Sequence, residues 1–274
     1  MLKSMYCKNM ENKRLAVAGC GKLGNIVADA LVGGMLPGYE LIGAYSRSAE
    51  KAEALARKVN GHGGSCTVAS SFQSLLQLQP DILVEAASPA AMREWLLPAL
   101  RLGISVVTLS IGAFADDLFY QQASCVAREH GAHVYVVSGA TGGFDVLQTA
   151  TLMGNATANF YNEKGPDALR GTPVYDDALQ KEQRTVFEGT AKEAISMFPT
   201  KVNVTVAASR ASVGPDRMQV RMVSTPGFKG DTQRVEIRNP QVHAVVDVYS
   251  ATAEIAGWSV VNTLRNLSSP IVFV

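Results

Sequence analysis

Residues 14–34 read RLAVAGCGKLGNIVADALVGG. An apolar run, Leu15 to Ala18, leads into glycines at 19, 21 and 24. Ile26, Val27, Ala30 and Leu31 follow at the spacing of one helix face. Strand, glycine turn and helix in this order put free backbone N–H groups at a helix start, where an anion is favoured. The GxGxxG spacing gives each glycine a task. Gly19 permits the tight turn, Gly21 lets backbone approach a pyrophosphate, and Gly24 lets helix and strand pack closely. The stretch predicts a dinucleotide loop, with Gly19, Cys20, Gly21, Lys22, Leu23 and Gly24 around the pyrophosphate.

The neighbouring sequence repeats the pattern. YELIGAYSRS (39–48) reads as a second buried strand. About 20 residues beyond such a glycine loop, a carboxylate would grip the adenosine ribose of NAD. Here Ser46, Arg47 and Ser48 stand instead, hydroxyls and a guanidinium that suit a 2′-phosphate, so NADP is expected, with NAD also admitted. AEKAEALARKV (49–59) is a helix, and PDILVEAASP (80–89) a strand ending in Ser88 and Pro89, cap and first-turn residues for the helix AAMREWLLPALRLG (90–103). ISVVTLSIGAF (104–114) is the next strand. Four successive βα units predict a parallel, doubly wound sheet that binds ligands at the carboxyl ends of its strands, where Ala86, Ala87, Ser110 and Gly112 fall.

Bulk properties narrow the partners. At 274 residues the chain is long for one core and comfortable for two. With 47% apolar residues, 18% charged residues and a net charge of +1, it has neither the composition of a disordered chain nor the basic excess that nucleic acid demands. Cys7, Cys20, Cys66 and Cys125 are scattered without a CxxC pair or a zinc spacing, which fits reduced thiols in a cytoplasmic protein and no metal site. The opening MLKSMYCKNMENK reads as a disordered leader rather than a secretory signal, and no stretch is long and apolar enough for a membrane span.

From residue 116 the pattern changes. DLFYQQASCVAREHG (117–131) is helical, and AHVYVVSGATGGFDVLQTATLM (132–153) reads as strand, glycine-rich turn and helix. FEGTAKEAISMFP (187–199) carries a capping box at Thr190 and Glu193 and ends in Pro199. VNVTVAA (202–208) alternates like a strand. MQVRMVS, TQRVEIR and VHAVVDVYS, from 218 to 250, read as three strands of a meander.

GCGKLG, DILVEAAS, VVTLSIGAFAD, VVSGATGGFDVL, FEGTAKEAISMFPTKVNVTVA and GWSVVNTLRNL follow one another over residues 19–267, and in this order the chain resembles the L-aspartate dehydrogenase family. The resemblance implies an α/β protein: a doubly wound parallel Rossmann sheet with a second, smaller α/β (α+β) catalytic domain. The expected divisions are a leader (1–13), a dinucleotide-binding domain (14–115), a substrate and dimerisation domain (116–250) and a C-terminal helix and tail (251–274) packing back on the first domain. It also implies that Asn203 starts a helix, against the alternation, and that the chain is a homodimer. Members pass a hydride between nicotinamide and the α-carbon of aspartate or its imine. By resemblance, Ala86, Ala87, Ser110 and Ala140 lie toward the nicotinamide.

Family members carry a catalytic histidine in an N-x-H segment. Aligned on Pro226, VSTPGFKGDTQRVEI puts Asp231 at the asparagine and Gln233 at the histidine. A glutamine amide exchanges hydrogen bonds but does not titrate. Alternation puts Gln233 on one strand face with Val235 and Ile237, inward. Gln233, Asn203 and Lys201 are the candidate catalytic residues, and Lys164, Arg170, Lys201 and Arg210 the candidate cations for a carboxylate substrate. His62, His130, His133 and His243 read as structural histidines. The expected activity is NAD(P)-dependent oxidoreduction of an amino or imino acid, with a small-molecule amino, imino or keto acid as substrate. Two alternatives stay open: a catalytically silent NAD(P)-binding sensor, and a 2-keto acid or aldehyde reductase that needs no amine.

Overall fold

The computed structural model describes residues 12–198 and 202–273. The leader up to residue 11, Cys7, Pro199 and Lys201 lie outside the described residues. The chain divides into two compact units, one of 12–108, 122–135 and 260–273, the other of 109–121 and 136–259.

The first unit is built on β1 (Lys13–Ala18), α1 (Lys22–Val32), β2 (Tyr39–Tyr45), α2 (Ala49–Asn60), β3 (Thr67–Val68), α3 (Phe72–Gln77), β4 (Ile82–Glu85), α4 (Pro89–Arg101) and β5 (Ser105–Thr108). β1 runs parallel to β2 and β4, β2 to β3, and β4 to β5. The sheet order β3-β2-β1-β4-β5-β6 reverses direction at β1, the doubly wound arrangement the βα repeats predict. Leu15, Val17, Ile82, Leu83 and Val84 are buried because both faces are covered by helices, and this is why these strands read as unbroken apolar runs. Ser88 caps α4 by accepting from Ala91 N, with Pro89 at the first turn.

Three details depart from the sequence expectation. The pair β3 and α3 adds a fifth βα unit; two exposed residues of strand are too short for a hydrophobic signal. The first unit also does not run unbroken to 115: its leading segment ends at Thr108, and 109–115, expected in the dinucleotide domain, belong to the second unit. α5 (Asp117–Glu129) leads to β6 (Val134–Val136), which joins the same sheet beside β5 through Val106 N donating to His133 O. Residues 122–135, expected in the substrate domain, therefore belong to the dinucleotide unit. Finally, ISVVTLSIGAF is strand only to Thr108, and Ile111–Ala115 forms a 3₁₀ turn.

In the second unit, α6 (Phe144–Leu152), β7 (Thr157–Lys164), β8 (Arg184–Thr190), α7 (Ala191–Met197) and α8 (Asn203–Arg210) precede β9 (Gln219–Ser224), β10 (Asp231–Arg238) and β11 (His243–Ser250). The capping box forms as the sequence predicts: Thr190 Oγ1 accepts from Glu193 N, while Glu193 Oε2 accepts from Thr190 N at 2.7 Å. VNVTVAA is helix α8, not strand; Thr205, Val206, Ala207, Ala208 and Ser209 are all buried, which defeats the period-2 reading. The meander expectation also fails. The sheet order is β11-β10-β7-β9-β8, so β7 lies between β9 and β10, parallel to the first and antiparallel to the second.

Helices α6, α7 and α8 pack against β10, β9 and β7. The covered face carries Phe160, Val220, Met222, Val235 and Ile237, none more than 2% exposed, each contributing about 1.5–3 kcal/mol by burial. The last helix, α9 (Glu254–Ser268), ends within the first unit, where Tyr39 OH donates to Leu264 O at 2.8 Å and Lys13 Nζ to Leu267 O at 3.0 Å. No described helix is long and apolar enough to cross a membrane.

Candidate active site

In the first unit Gly19 and Gly24 take up the turn and packing tasks their spacing assigns, and Gly21 is left open. Gly19 has φ +105°, and a Cβ there would lie 2.5 Å from the backbone carbon of Ala86. Its N–H donates to Tyr45 O at 2.8 Å, tying the turn to the end of β2. A Cβ on Gly24 would lie 2.2 Å from Gly19 O, so α1 sits hard against the turn. Around Gly21 a Cβ would meet nothing within 4 Å. The loop is thus crowded where it touches protein and open at Gly21, the position a pyrophosphate must approach; these residues fit a dinucleotide. α1 has no acidic residue in its first turn to oppose an anion.

Around this loop, Lys22 is exposed and Leu23 half-buried. Cys20 is buried, its Sγ donating to Tyr45 O at 3.4 Å, and burial pushes its thiol up to about 11. Ser46 is half-buried and Arg47 exposed, both directly after β2. Ala86 and Ala87 follow β4 in a turn held by a residue that sequence reasoning passed over. Glu85 is fully buried; its Oε1 accepts from Ala87 N at 2.8 Å and Ser88 N at 3.2 Å, and its Oε2 from Thr108 Oγ1 at 2.8 Å. The only signal in the sequence is a carboxylate ending the apolar run ILVE.

In the second unit, Ser110 is buried at the start of the 3₁₀ turn, and Asn203 Oδ1 accepts from Gly112 N at 2.8 Å, so the asparagine that opens α8 fixes that turn. Ala140 is half-buried in the glycine-rich turn before α6. This turn lies against the sheet: Gly143 has φ +65°, and a Cβ there would come 2.4 Å from Val246 Cγ2.

Gln233 is 4% exposed, on the covered face with Val235 and Ile237 as alternation predicts. Register places it opposite Asn162 on β7, which pairs with Met222, while Asp231 stands opposite Lys164, which pairs with Ser224. Two cross-strand rows at one end of an apolar face are therefore polar. Lys164 Nζ lies 3.3 Å from Asp231 Oδ1, with side-chain exposures of 10% and 40%, so the ammonium is buried against a partly wet carboxylate. Asn162 Nδ2 donates to the same oxygen at 3.2 Å and to Thr232 O at 2.9 Å. Of the sequence candidates, Gln233 and Lys164 come together here. Asn162 and Ser224 were missed, since a polar residue in a half-buried strand does not reveal its neighbours across the sheet.

The other candidates stand elsewhere. Arg210 is spent on Phe114 O and Asp117, with its guanidinium 4.6 Å from the Tyr120 ring centroid. Arg170 is exposed and pairs with Asp167. Exposed His243 contacts Glu236 Oε1 at 3.0 Å, and His62, His130 and His133 are exposed. Among the described residues no histidine lies in the two polar rows.

Comparison with known proteins agrees with this organisation. Residues 145–267 match the family described as aspartate dehydrogenase, C-terminal, and residues 19–137 the homoserine dehydrogenase NAD binding domain. An L-aspartate dehydrogenase from Methanocella arvoryzae is 30% identical over 270 residues, spanning 94% of this chain and 98% of the relative. L-aspartate dehydrogenase 2 of Bordetella bronchiseptica is 29% identical over 263 residues, 92% of this chain and 96% of its own. The crystal structure of aspartate dehydrogenase from Thermotoga maritima superposes with a TM-score of 0.77 at 25% identity, covering 96% of this chain and all of that one. With both segments matched and the likeness running nearly end to end, the chain belongs to the L-aspartate dehydrogenase family.

Proposed function

We propose that this protein catalyses NAD(P)-dependent hydride transfer between nicotinamide and the α-carbon of an amino acid or its imine, with L-aspartate and iminosuccinate the first pair to test. The observation that carries it is the glycine loop, crowded at Gly19 and Gly24 and open at Gly21, in a chain matched over 94% of its length by an L-aspartate dehydrogenase. The bound nicotinamide supplies the hydride chemistry; the protein's work is to bind and orient. Backbone at Gly19, Cys20, Gly21, Lys22, Leu23 and Gly24 holds the pyrophosphate, and Ser46 and Arg47 receive a 2′-phosphate, favouring NADP. Ala86, Ala87, Ser110 and Ala140 serve the nicotinamide. Gln233 and Asn203, with Lys201, serve the substrate, Asn203 by fixing the turn at Gly112. In this reading residues 14–115 carry the dinucleotide, with the β6 segment added, 116–250 the substrate and the contact of a homodimer, and the protein works in the cytoplasm.

Titration of NADPH and NADH fluorescence, followed by assay of L-aspartate oxidation and of reduction of 2-keto acids with ammonia, tests the reading. Coenzyme binding with amine-dependent turnover supports it. Absence of binding to either coenzyme overturns it. A second reading, a silent NAD(P)-binding sensor, draws on Gln233 standing among polar rows without histidine; binding without turnover across the panel favours it. Turnover of a keto acid that ignores ammonia favours an amine-independent reductase instead.

A further inference from the structure

Asn25 stands half-buried in the first turn of α1, and its amide is held at both ends. Its Nδ2 donates to Cys20 O at 3.2 Å and to Gly21 O at 3.1 Å, two carbonyls of the glycine loop. Its Oδ1 accepts at 3.1 Å from Nζ of Lys58, in the last turn of α2, and the same ammonium donates to Asp29 on α1. An ammonium only donates and a carbonyl only accepts, so both ends agree on which way the amide faces. Asn25 thereby joins α2 to the carbonyl side of the loop.

The helix itself has no need of this arrangement. Gly21 O already accepts from Asn25 N at 3.0 Å, the first backbone bond of α1, and alanine is a better helix former than asparagine. The consequence lies on the far side of the same peptide units. Each unit is planar and trans, so its N–H points opposite to its C=O. Cys20 O shares a unit with Gly21 N, and Gly21 O with Lys22 N. With both carbonyls drawn toward Asn25, the two N–H groups turn away from it.

We propose that Asn25 is a positioning residue for the coenzyme's diphosphate: by holding the Cys20 and Gly21 carbonyls it aims the N–H groups of Gly21 and Lys22 at phosphate oxygens. The inference rests on the dehydrogenase reading above. Lys58 acts one step further back, because without it the amide is free to turn its oxygen toward the carbonyls. The same clamp ties the diphosphate loop to α2, the helix that starts directly after the Ser46–Ser48 segment at the adenosine end.

The test measures NADPH binding by fluorescence and ligand-free Tm in the wild type, Asn25→Ala, Lys58→Met, Gly21→Ala and the double variant Gly21→Ala with Asn25→Ala. Asn25→Ala is expected to weaken NADPH about tenfold, the upper range for one neutral hydrogen bond, with Tm nearly unchanged. Lys58→Met leaves the amide in place without its anchor and is expected to weaken NADPH about threefold, which keeps the question open to measurement if Asn25→Ala does not fold. In a Gly21→Ala background, where a methyl already holds the diphosphate off, removing the Asn25 amide should cost only about twofold more, since residues that act through one group are not additive. Unchanged NADPH affinity in folded Asn25→Ala, or in Lys58→Met where Asn25→Ala does not fold, overturns the inference while leaving the dehydrogenase reading intact. A lower Tm with unchanged affinity assigns Asn25 a purely structural role and overturns it too. So does a full tenfold loss in the Gly21→Ala background, because the effect then reaches the coenzyme by another route. A wild type that binds neither NADPH nor NADH overturns the dehydrogenase reading and the inference with it.

Discussion

Gly21 and Gly24 look alike in the sequence, three residues apart in one motif, yet they do different work. Gly24→Ala forces a Cβ to 2.2 Å from Gly19 O, a backbone atom that cannot step aside, so α1 must shift. The variant is expected to lose about 1–3 kcal/mol of stability, the range for overpacking, and coenzyme affinity with it. Gly21→Ala meets no protein atom within 4 Å and should leave Tm nearly unchanged while weakening NADPH binding at least tenfold. Urea midpoints and NADPH titrations on the two variants check this; equal stability losses would show that Gly21 is also a packing glycine. Cys20, directly before Gly21, gives a pH prediction. Its thiol rises from 9.0 to about 11 because burial disfavours the thiolate. For an acid with a raised folded value, the unfolded chain releases its proton first. The stabilisation is present in full below pH 9 and is lost as pH climbs through about 11. Cys66, raised by burial from 9.0 to about 12, adds a loss that also begins above pH 9, while Tyr39, raised by burial from 10.0 to about 12, begins to lose its share only above pH 10. Urea midpoints should therefore fall steeply between pH 9 and 11, and less steeply in Cys20→Ala; equal slopes in variant and wild type would remove Cys20 from the account.

Elements with local causes were legible in the sequence, and those with distant causes were not. α1, α2 and α4 declare themselves by period, cap and stop. The capping box on α7 is complete because Thr190 and Glu193 lie three residues apart and need nothing else. Thr190→Ala removes the side-chain acceptor for Glu193 N and should cost about 1 kcal/mol, read as a lower Tm; Thr190→Ser should restore most of it. α8 shows the opposite case. VNVTVAA has strand-like alternation and β-branched residues, but packing against β7 and the 3₁₀ turn decides for helix, with Asn203 Oδ1 bonded to Gly112 N some ninety positions away. The insertion of β7 between β9 and β10 is equally invisible in the sequence, because strand order depends on which edges meet rather than on the strands' own residues. The polar rows share this origin. Gln233 could be turned inward by alternation alone, but its neighbours Asn162 and Lys164 are supplied by register with a strand 70 residues earlier.

For the whole molecule, the chain leaves the dinucleotide unit after Thr108, returns at Gln122 to add β6, and returns again at Val260 with the last helix. A linear reading places one boundary near 115 because the glycine loop and the catalytic words are far apart in sequence. The C-terminal return, by contrast, was visible through resemblance alone, and the bonds of Tyr39 and Lys13 to Leu264 and Leu267 carbonyls are its physical ground. A coenzyme bound at the glycine loop stabilises the folded unit that holds it, and all three segments belong to that unit. A ligand present at a hundred times its Kd stabilises by about 2.7 kcal/mol, and the better coenzyme at equal concentration gives the larger shift. Arg47 is exposed directly after β2, where a 2′-phosphate would be read, and makes no ion pair among the described residues. NADPH is therefore expected to raise Tm more than NADH in the wild type. Arg47→Asp exchanges a cation for a carboxylate that repels the phosphate and accepts from ribose hydroxyls, and should invert that order without changing the Tm of the ligand-free protein. Thermal melts of both proteins with each coenzyme decide it. An order that survives the substitution means that the adenosine end is read by residues other than Arg47.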